Sequence, residues 1–214
     1  GYYRLYLVTH NEKYLDVVAE GWEIIKENHL TVAGGPWSRQ MDYNGNCTEC
    51  FAGYDAFYPG KMHVEGCSSM SWMQMSVALY ELTGDPKYIK EAEYNFYNES
   101  IIHQGIDGVN YTYYTEMNRT NGNFRKSFTC CASSIPRGMH VYARTMIGHI
   151  GGNLIVGSLS PYSASLTEQF GGGTVRVESA FPYEGKVTIT LSPARSKSFP
   201  VELEIGRAHV CTPV

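Results

Sequence analysis

Two short stretches of the sequence carry side chains that can hold a metal ion or act as nucleophiles. Glu65-Gly66-Cys67 places a carboxylate and a thiol two residues apart, and Cys130-Cys131 places two thiols side by side. Tetrahedral sites for Zn²⁺ take four thiolate, imidazole or carboxylate ligands. If the fold brings the two stretches together, these four side chains supply such a set, and a thiolate within it can also act as a nucleophile.

The cysteines on their own leave three interpretations open. Five remain when Cys211 is set aside with the C-terminal tail, and an odd number argues against a simple disulfide framework. One interpretation is two disulfides and a free thiol, although adjacent cysteines seldom pair with each other because the ring is strained. Another is a structural zinc site that combines Cys47 and Cys50 with Cys67 or the Cys130-Cys131 pair. The third is a catalytic metal–thiolate site.

Each of the two stretches precedes a predicted helix. Apolar spacing indicates helices at about 68–82 and 132–149, so Cys67 and Cys131 would lie near helix N-termini, where a thiolate is favoured. Long polar and aromatic connections at 34–64 and 105–129 lead into these helices. Connections of that length in a compact domain are generally functional.

A helical hairpin repeats at a separation of 74 residues. Residues 5–14 and 79–88 share Leu, Tyr, Thr, Lys and Tyr in one register, and in each copy one helix ends, a short turn follows and a second helix begins. Asp85-Pro86 is a favourable helix start, with a capping side chain and proline at the first helical position. Repeated hairpins bury their apolar faces on one another, which indicates an α/α toroid or an α-solenoid.

The pattern changes after Gly151-Gly152. Apolar or alternating runs of strand length occupy 153–159, 174–179, 186–191 and 199–203. We therefore expect a helical domain over 1–150 and the start of a β-domain over 151–203. From about Glu204 the tail, EIGRAHVCTPV, resembles translated sequencing-adapter sequence, so we set 204–214 aside as an artefact, with His209 and Cys211.

The composition excludes some classes of function. The 214 residues are 43% hydrophobic and 18% charged, which is typical of a globular protein. A net charge of −4 gives no basic surface for nucleic acid, and no apolar run reaches the roughly 18 residues that span a bilayer, so we expect neither partner. The start, GYYRLYLVTH, lacks Met and a signal-peptide pattern, so we expect that the N-terminus is missing. Localisation and oligomeric state are not indicated.

The order of the motifs resembles glycoside hydrolase family 127 and its relative, family 146. The shared features, in order, are Glu65-Gly66-Cys67, the run 82–88, Tyr97-Asn98, the Asp107-Gly108 turn, the aromatic run 111–114 and Cys130-Cys131. The resemblance covers about residues 5–203. It implies an α+β multidomain enzyme: residues 1–150 are the C-terminal part of an (α/α)₆ barrel, and 151–203 begin a β-sandwich. It also implies a retaining, β-L-arabinofuranosidase-like activity on carbohydrate.

Residue by residue, the resemblance implies a zinc-thiolate mechanism. The Zn²⁺ ligands would be Glu65, Cys67, Cys130 and Cys131. Cys130 would also be the nucleophile, and Glu49, sixteen residues before Glu65, would be the acid/base. Tyr113 would be an active-site tyrosine, although a shift of register would place Tyr111 or Tyr114 there instead.

Three departures from the family pattern leave the exact substrate open. Ala132-Ser133-Ser134 follows the adjacent cysteines where Pro-Pro is common, and Gly66 stands where Thr or Ser is more usual. Residues 46–48 replace a His-rich approach to Glu49. Cys47 and Cys50 match nothing in the family, and we interpret them as loop thiols or a local disulfide.

Two other functions remain open. A non-catalytic α/α domain with a structural zinc would use Cys47 and Cys50 as ligands. A different α/α-toroid carbohydrate enzyme would use paired carboxylates such as Glu49, Asp55 or Glu65, and no metal. Because most of the implied barrel precedes this chain, we expect its apolar hairpin faces to be exposed and the isolated chain to be poorly stable and inactive.

Overall fold

A computed structural model describes residues 1–39, 50–51, 62–115, 129–181 and 183–204. The chain divides into two compact units, Gly1–Tyr142 and Ala143–Val214. Helices dominate the first unit and strands the second. The assignments to a barrel and a β-sandwich, and the boundary near residue 150, stay predictions.

Five α-helices and one small sheet make up the described part of the first unit. The helices are α1 (Tyr2–Thr9), α2 (Glu12–Asn28), α3 (Gly66–Thr83), α4 (Pro86–Asn95) and α5 (Cys130–Ala143). The strands are β1 (Trp37–Arg39), β2 (Cys50–Phe51), β3 (Met62–Glu65) and β4 (Tyr114–Thr115), in the spatial order β2-β1-β3-β4. Helix α4 continues through a π-helical turn, Phe96–Ser100, and a 3₁₀ turn, Ile101–His103.

The hairpins α1–α2 and α3–α4 share one turn geometry. Thr9 and Thr83 end their helices, and each hydroxyl donates to the carbonyl four residues earlier, over 2.7 Å in both cases. The next residue is left-handed in both turns, with φ of 52° at His10 and 69° at Gly84. Glycine adopts this conformation without strain, whereas His10 is the one described non-glycine residue with positive φ. The repeat seen in the sequence is therefore a repeat of structure.

Aromatic packing joins the two hairpins. The indole of Trp22 on α2 stacks on Trp72 of α3 with ring centroids 5.1 Å apart, and Tyr88 of α4 meets its edge at 4.8 Å. The indole nitrogen of Trp22 donates to Ser76 Oγ over 2.8 Å, which satisfies the buried N–H. This cluster fixes the position of α3 along its axis relative to α2 and α4, and therefore the position of the residues at its N-terminus.

The helix predicted over 132–149 is shorter than expected. Helix α5 ends at Ala143, and strand β5 (Ile147–Ile150) follows, paired with β6 (Asn153–Val156). Gly148 and the β-branched Ile147 and Ile150 are weak helix formers, and Gly151 closes a tight turn with φ of 57°. Pairing with the buried strand β6 decides the structure here.

The second unit contains two three-stranded sheets in its described part. Its other strands are β7 (Tyr162–Ser165), β8 (Gly173–Ser179), β9 (Val187–Pro193) and β10 (Val201–Leu203). The sheet orders are β10-β6-β5 and β7-β8-β9, and only the β10–β6 pair among them is parallel. In β8, Val175 and Val177 are buried and Arg176 and Glu178 are exposed, which is the predicted alternation.

In the part of the chain that the structure describes, no helix combines the length and apolar character required to cross a membrane.

Close packing beneath β3 gives the first testable prediction. A Cβ atom on Gly35 would lie 2.5 Å from Glu99 Cγ and 2.7 Å from Val64 Cγ1. We expect Gly35→Ala to lower the free energy of unfolding by about 1–3 kcal/mol, because β3 or the π-helical turn must move. Gly21→Ala is the matched control: its Cβ would have one neighbour, Met75 Cε at 3.7 Å, and alanine should stabilise α2 by about 1 kcal/mol.

Urea unfolding followed by circular dichroism measures both changes. Equal stability of the Gly35→Ala variant and the unchanged chain would contradict the packing described here.

Candidate functional site

Glu65 and Cys67 flank the junction between β3 and α3. Glu65 ends the strand with extended backbone angles, φ −86° and ψ 136°, and is 6% exposed. Cys67 lies in the first turn of α3, where unpaired N–H groups create a partial positive charge. Between them, the amide of Gly66 donates to the carbonyl of Tyr113 over 3.1 Å, which ties the junction to the segment before β4.

Gly66 occupies a position with little room for a side chain. A Cβ atom there would lie 3.2 Å from Ile135 Cδ1 and 3.3 Å from His103 Nδ1. Both distances are tighter than ordinary van der Waals contact. The packing therefore explains why glycine suits this position, where the resembling families more usually carry threonine or serine.

Cys130 and Cys131 form the first turn of α5. Cys131 is 1% exposed, whereas Cys130 is exposed to solvent. Adjacent residues on a helix point about 100° apart, so one thiol of the pair faces the interior and the other faces outward. The helix start is thus the reason that two neighbouring cysteines have different surroundings.

The structure brings together the four side chains predicted as zinc ligands. Their ligand atoms, one each from Glu65, Cys67, Cys130 and Cys131, all lie within 4.8 Å of one another. Cys131 Sγ is 3.6 Å from Cys67 Sγ and 3.8 Å from Glu65 Oε1. Cys130 Sγ is 3.9 Å from the same carboxylate oxygen.

These distances fit a tetrahedral zinc site. With Zn–S bonds of about 2.3 Å and Zn–O bonds of about 2.0 Å, the edges of the tetrahedron are about 3.5–3.8 Å. The separations of 3.6, 3.8 and 3.9 Å are near these edges. The upper limit of 4.8 Å for the whole set is about 1 Å longer, so a side-chain adjustment of that size would complete the geometry. Three sulfurs and one carboxylate oxygen are also a donor set that suits zinc better than Mg²⁺ or Ca²⁺.

Crowding of acidic groups shapes the electrostatics of the cluster. Burial raises the pKa of the Cys131 thiol, and the neighbouring Cys67 adds to the rise. Burial also raises the pKa of Cys67, while a hydrogen bond with Ser134 opposes that rise. Both thiols therefore resist ionisation, chiefly because burial disfavours the charged form, and a bound cation would reverse this opposition.

Tyr113 lies beside the exposed thiol. Its hydroxyl is 3.2 Å from Cys130 Sγ, and its carbonyl oxygen is 3.8 Å from Cys131 Sγ. The hydrogen bond with Cys130 is the largest cause that raises the pKa of the Tyr113 phenol. The phenol therefore keeps its proton and can donate it to a thiolate in a hydrogen bond. Of the other two tyrosines considered, Tyr114 packs against the His63 ring and Tyr111 bridges to Gln104.

Behind the cluster lies a buried pair that the sequence analysis missed. Glu99 and His103 are 1% and 0% exposed, and Glu99 Oε1 is 3.3 Å from His103 Nε2. The Thr115 hydroxyl donates to Glu99, and His103 Nδ1 lies 3.2 Å from the carbonyl of Thr112. The pair thus supports both ends of the segment that carries Tyr113. Its signal in the sequence is an i, i+4 spacing, which is too common to identify a site.

The predicted acid/base residue and one cysteine lie outside the described residues. These are Glu49 and Cys47. The backbone of Cys50 pairs with Arg39 in the sheet that contains β3. The four-ligand cluster forms from described residues without Cys47 or Cys50, whereas the structural-zinc alternative needs both as ligands.

The comparisons with known proteins agree with the resemblance. The family description that matches is "Beta-L-arabinofuranosidase, GH127 catalytic domain", over residues 1–144. No curated protein matches the chain at a significant level.

Several solved structures resemble the chain. A GH127 beta-arabinofuranosidase has a TM-score of 0.80 at 20% identity, over 96% of this chain and 32% of that chain. A GH127 beta-L-arabinofuranosidase from Geobacillus stearothermophilus T6 has a TM-score of 0.77 at 18% identity, over 96% and 34% of the two chains. A glycoside hydrolase has a TM-score of 0.75 at 17% identity, over 94% and 37%.

The chain therefore spans about a third of the length of these structures. At such identities the likeness shows a shared fold. The family match covers well over half of the chain, and on that ground the chain belongs to glycoside hydrolase family 127.

Proposed function

We propose that the chain supplies the metal–thiolate part of the active site of a retaining glycoside hydrolase. Zn²⁺ is the proposed ion, and the ligands are the four side chains gathered within 4.8 Å: Glu65, Cys67, Cys130 and Cys131. This cluster is the observation that carries the proposal. A crowded, partly buried set of three thiols and a carboxylate is costly to assemble without a cation, so its presence supports a metal site.

The exposure of Cys130 supports its proposed role as the nucleophile. Of the three free thiols among the described residues, Cys131 is buried, Cys67 is partly buried and Cys130 is exposed. A nucleophile must reach the sugar, and only an accessible sulfur does so. The Tyr113 hydroxyl, 3.2 Å from Cys130 Sγ, supports a reactive orientation of that sulfur by a hydrogen bond.

The proposed reaction has two displacements. In the first, the Cys130 thiolate forms a bond to the anomeric carbon, the glycosidic C–O bond breaks, and Glu49 gives its proton to the leaving oxygen. In the second, Glu49 removes a proton from water, the oxygen of that water bonds to the anomeric carbon, and the C–S bond breaks. Two inversions retain the configuration. Zinc, when bound, supplies the deprotonated state of the thiols at neutral pH.

The proposed substrate is a carbohydrate with a terminal β-L-arabinofuranose or a related sugar. Support comes from membership of family 127 and from the beta-arabinofuranosidase names of two similar structures. Gly66 and the segment 132–134 depart from the family pattern beside the cluster, so the sugar that fits is set by residues particular to this chain.

Removal of a ligand should abolish tight metal binding. In the gene product that contains this chain we expect one zinc ion at this site, and Cys67→Ala should weaken zinc binding by about 100-fold or more, since even residues that only support ligands are worth about 10–100-fold. Ser71→Ala, on an exposed residue of the same helix, is the matched control and should bind as the unchanged chain does. Metal content by mass spectrometry and competition with a chelator measure both; absence of zinc from the unchanged chain would refute the site.

Metal binding should release protons and weaken as the pH falls. The pKa values of Cys67 and Cys131 are both raised, so in the metal-free chain these thiols carry protons at neutral pH. A ligand must lose its proton to bind, so each such thiol should make the apparent affinity fall about tenfold per unit decrease in pH. A pH indicator in weak buffer counts the released protons. Binding without proton release would show that the thiols are not the ligands.

Covalent catalysis should be visible as a sugar adduct on Cys130. In the gene product that contains this chain, quenching during turnover of an activated β-L-arabinofuranoside should give a mass increase of one pentosyl unit, located on the peptide with Cys130. Cys130→Ala should remove both adduct and activity. Glu49→Gln should slow hydrolysis by about 100-fold or more and raise the adduct fraction with an activated leaving group. Turnover that survives Cys130→Ala would refute the mechanism.

A further inference from the structure

Ser134 connects a predicted metal ligand to a positive charge. It lies on α5, one turn after the first cysteine of the adjacent pair, and is 5% exposed. Its Oγ is 3.2 Å from Cys67 Sγ on the neighbouring helix α3, and Arg137 Nη2 donates to the same Oγ over 3.2 Å. The hydroxyl is therefore placed between a thiol and a guanidinium group.

Hydrogen-bond chemistry gives this chain of groups a direction. A guanidinium group carries donors and no acceptor, so Arg137 must donate and Ser134 Oγ must accept. A thiolate has no proton, so once Cys67 ionises the sulfur must accept and the Ser134 O–H must donate to it. Donation from Arg137 polarises the hydroxyl and strengthens its hydrogen bond to the sulfur.

We propose that Arg137 and Ser134 are positioning residues that hold the Cys67 thiolate in place and reduce the electron density it gives to the metal. The inference rests on the proposed metal site. Four anionic ligands around Zn²⁺ give a net charge of about −2, which is costly in a site of which Cys131 and Glu65 are buried parts. Arg137 is exposed to solvent but lies next to the partly buried sulfur of Cys67 through Ser134, and so offsets part of that negative charge.

The consequence for the proposed chemistry concerns the balance among the three thiolates. Electron density donated by Cys67 competes with that donated by Cys130 at the same ion. A hydrogen bond that draws electron density from Cys67 makes the metal ion bind the Cys130 thiolate more strongly. Ser134 would therefore stabilise the resting site and lower the nucleophilicity of Cys130. The side chain at residue 134 then affects the reactivity of the Cys130 sulfur through the metal ion and Cys67.

Cobalt spectroscopy tests this role without relying on activity. Co²⁺ is added to the metal-free gene product that contains this chain, and the thiolate-to-cobalt charge-transfer absorption is recorded for the unchanged protein and for its Ser134→Ala and Ser134→Thr variants. We expect Ser134→Ala to move the band to lower energy, because the unbonded thiolate holds its electrons less tightly, and to weaken Co²⁺ binding by about tenfold. Ser134→Thr keeps the hydroxyl and should restore both.

Two further variants guard against a loss of folding. Ser133→Ala changes the preceding, exposed serine, whose hydroxyl donates to the Cys130 carbonyl over 2.9 Å, and should leave band and affinity unchanged. Arg137→Gln alters an exposed residue and should shift the band in the same direction as Ser134→Ala, by less. If Ser134→Ala fails to fold, the Arg137→Gln spectrum decides the question.

The outcomes separate this inference from the proposed function. Failure of the unchanged chain to bind Co²⁺ or Zn²⁺ would overturn the metal site and the inference together. Normal binding by the unchanged chain, with the same band and affinity in Ser134→Ala and Arg137→Gln, would overturn the inference alone.

Discussion

Thiols and carboxylates oppose one another's ionisation, and the first unit holds three thiols and a carboxylate within 4.8 Å. That arrangement is electrostatically unfavourable, so the backbone has to hold the four groups together. Two helix N-termini do so here, because Cys67 lies in the first turn of α3 and the adjacent cysteines lie in the first turn of α5. Their partial positive charges favour the ionised ligands, and the buried end of β3 adds the carboxylate of Glu65.

The remaining elements of this unit keep those two helix starts in register. The Trp22 cluster holds α3 against the first hairpin, and the hydrogen bond from Gly66 ties its start to Tyr113. The Glu99–His103 pair supports the same segment from behind. Glu99 lies in the π-helical turn Phe96–Ser100 and His103 in the 3₁₀ turn that follows it, and π-helical turns occur often near functional sites. The polar core behind the site thus supports the ligands that face it.

Sequence patterns predicted the long helices and strands, in which the apolar spacing repeats several times, and missed the short strands, in which it does not. Helix α3 and strand β8 were predicted with nearly correct ends, and the start of α4 was predicted at Asp85-Pro86, because these segments carry clear spacing or capping signals. Strands β1 to β4 are two to four residues long and carry too little alternation to stand out from a loop. The proposed ligands were predicted through a rare combination of residue types. The role proposed for Ser134 could not be predicted, because its contact with Cys67 joins residues 67 positions apart.

Gly66 restricts how the sequence around the site can change. Because Ile135 and His103 approach within 3.2–3.3 Å of a Cβ placed there, a threonine or serine at 66 requires those two side chains to shift by a few tenths of an ångström. The effect of a substitution at 66 therefore depends on what occupies 103 and 135, so the three positions are epistatic. Divergence next to this site is easier where space at the two neighbouring side chains opens together with the gain of a side chain at the strand–helix junction.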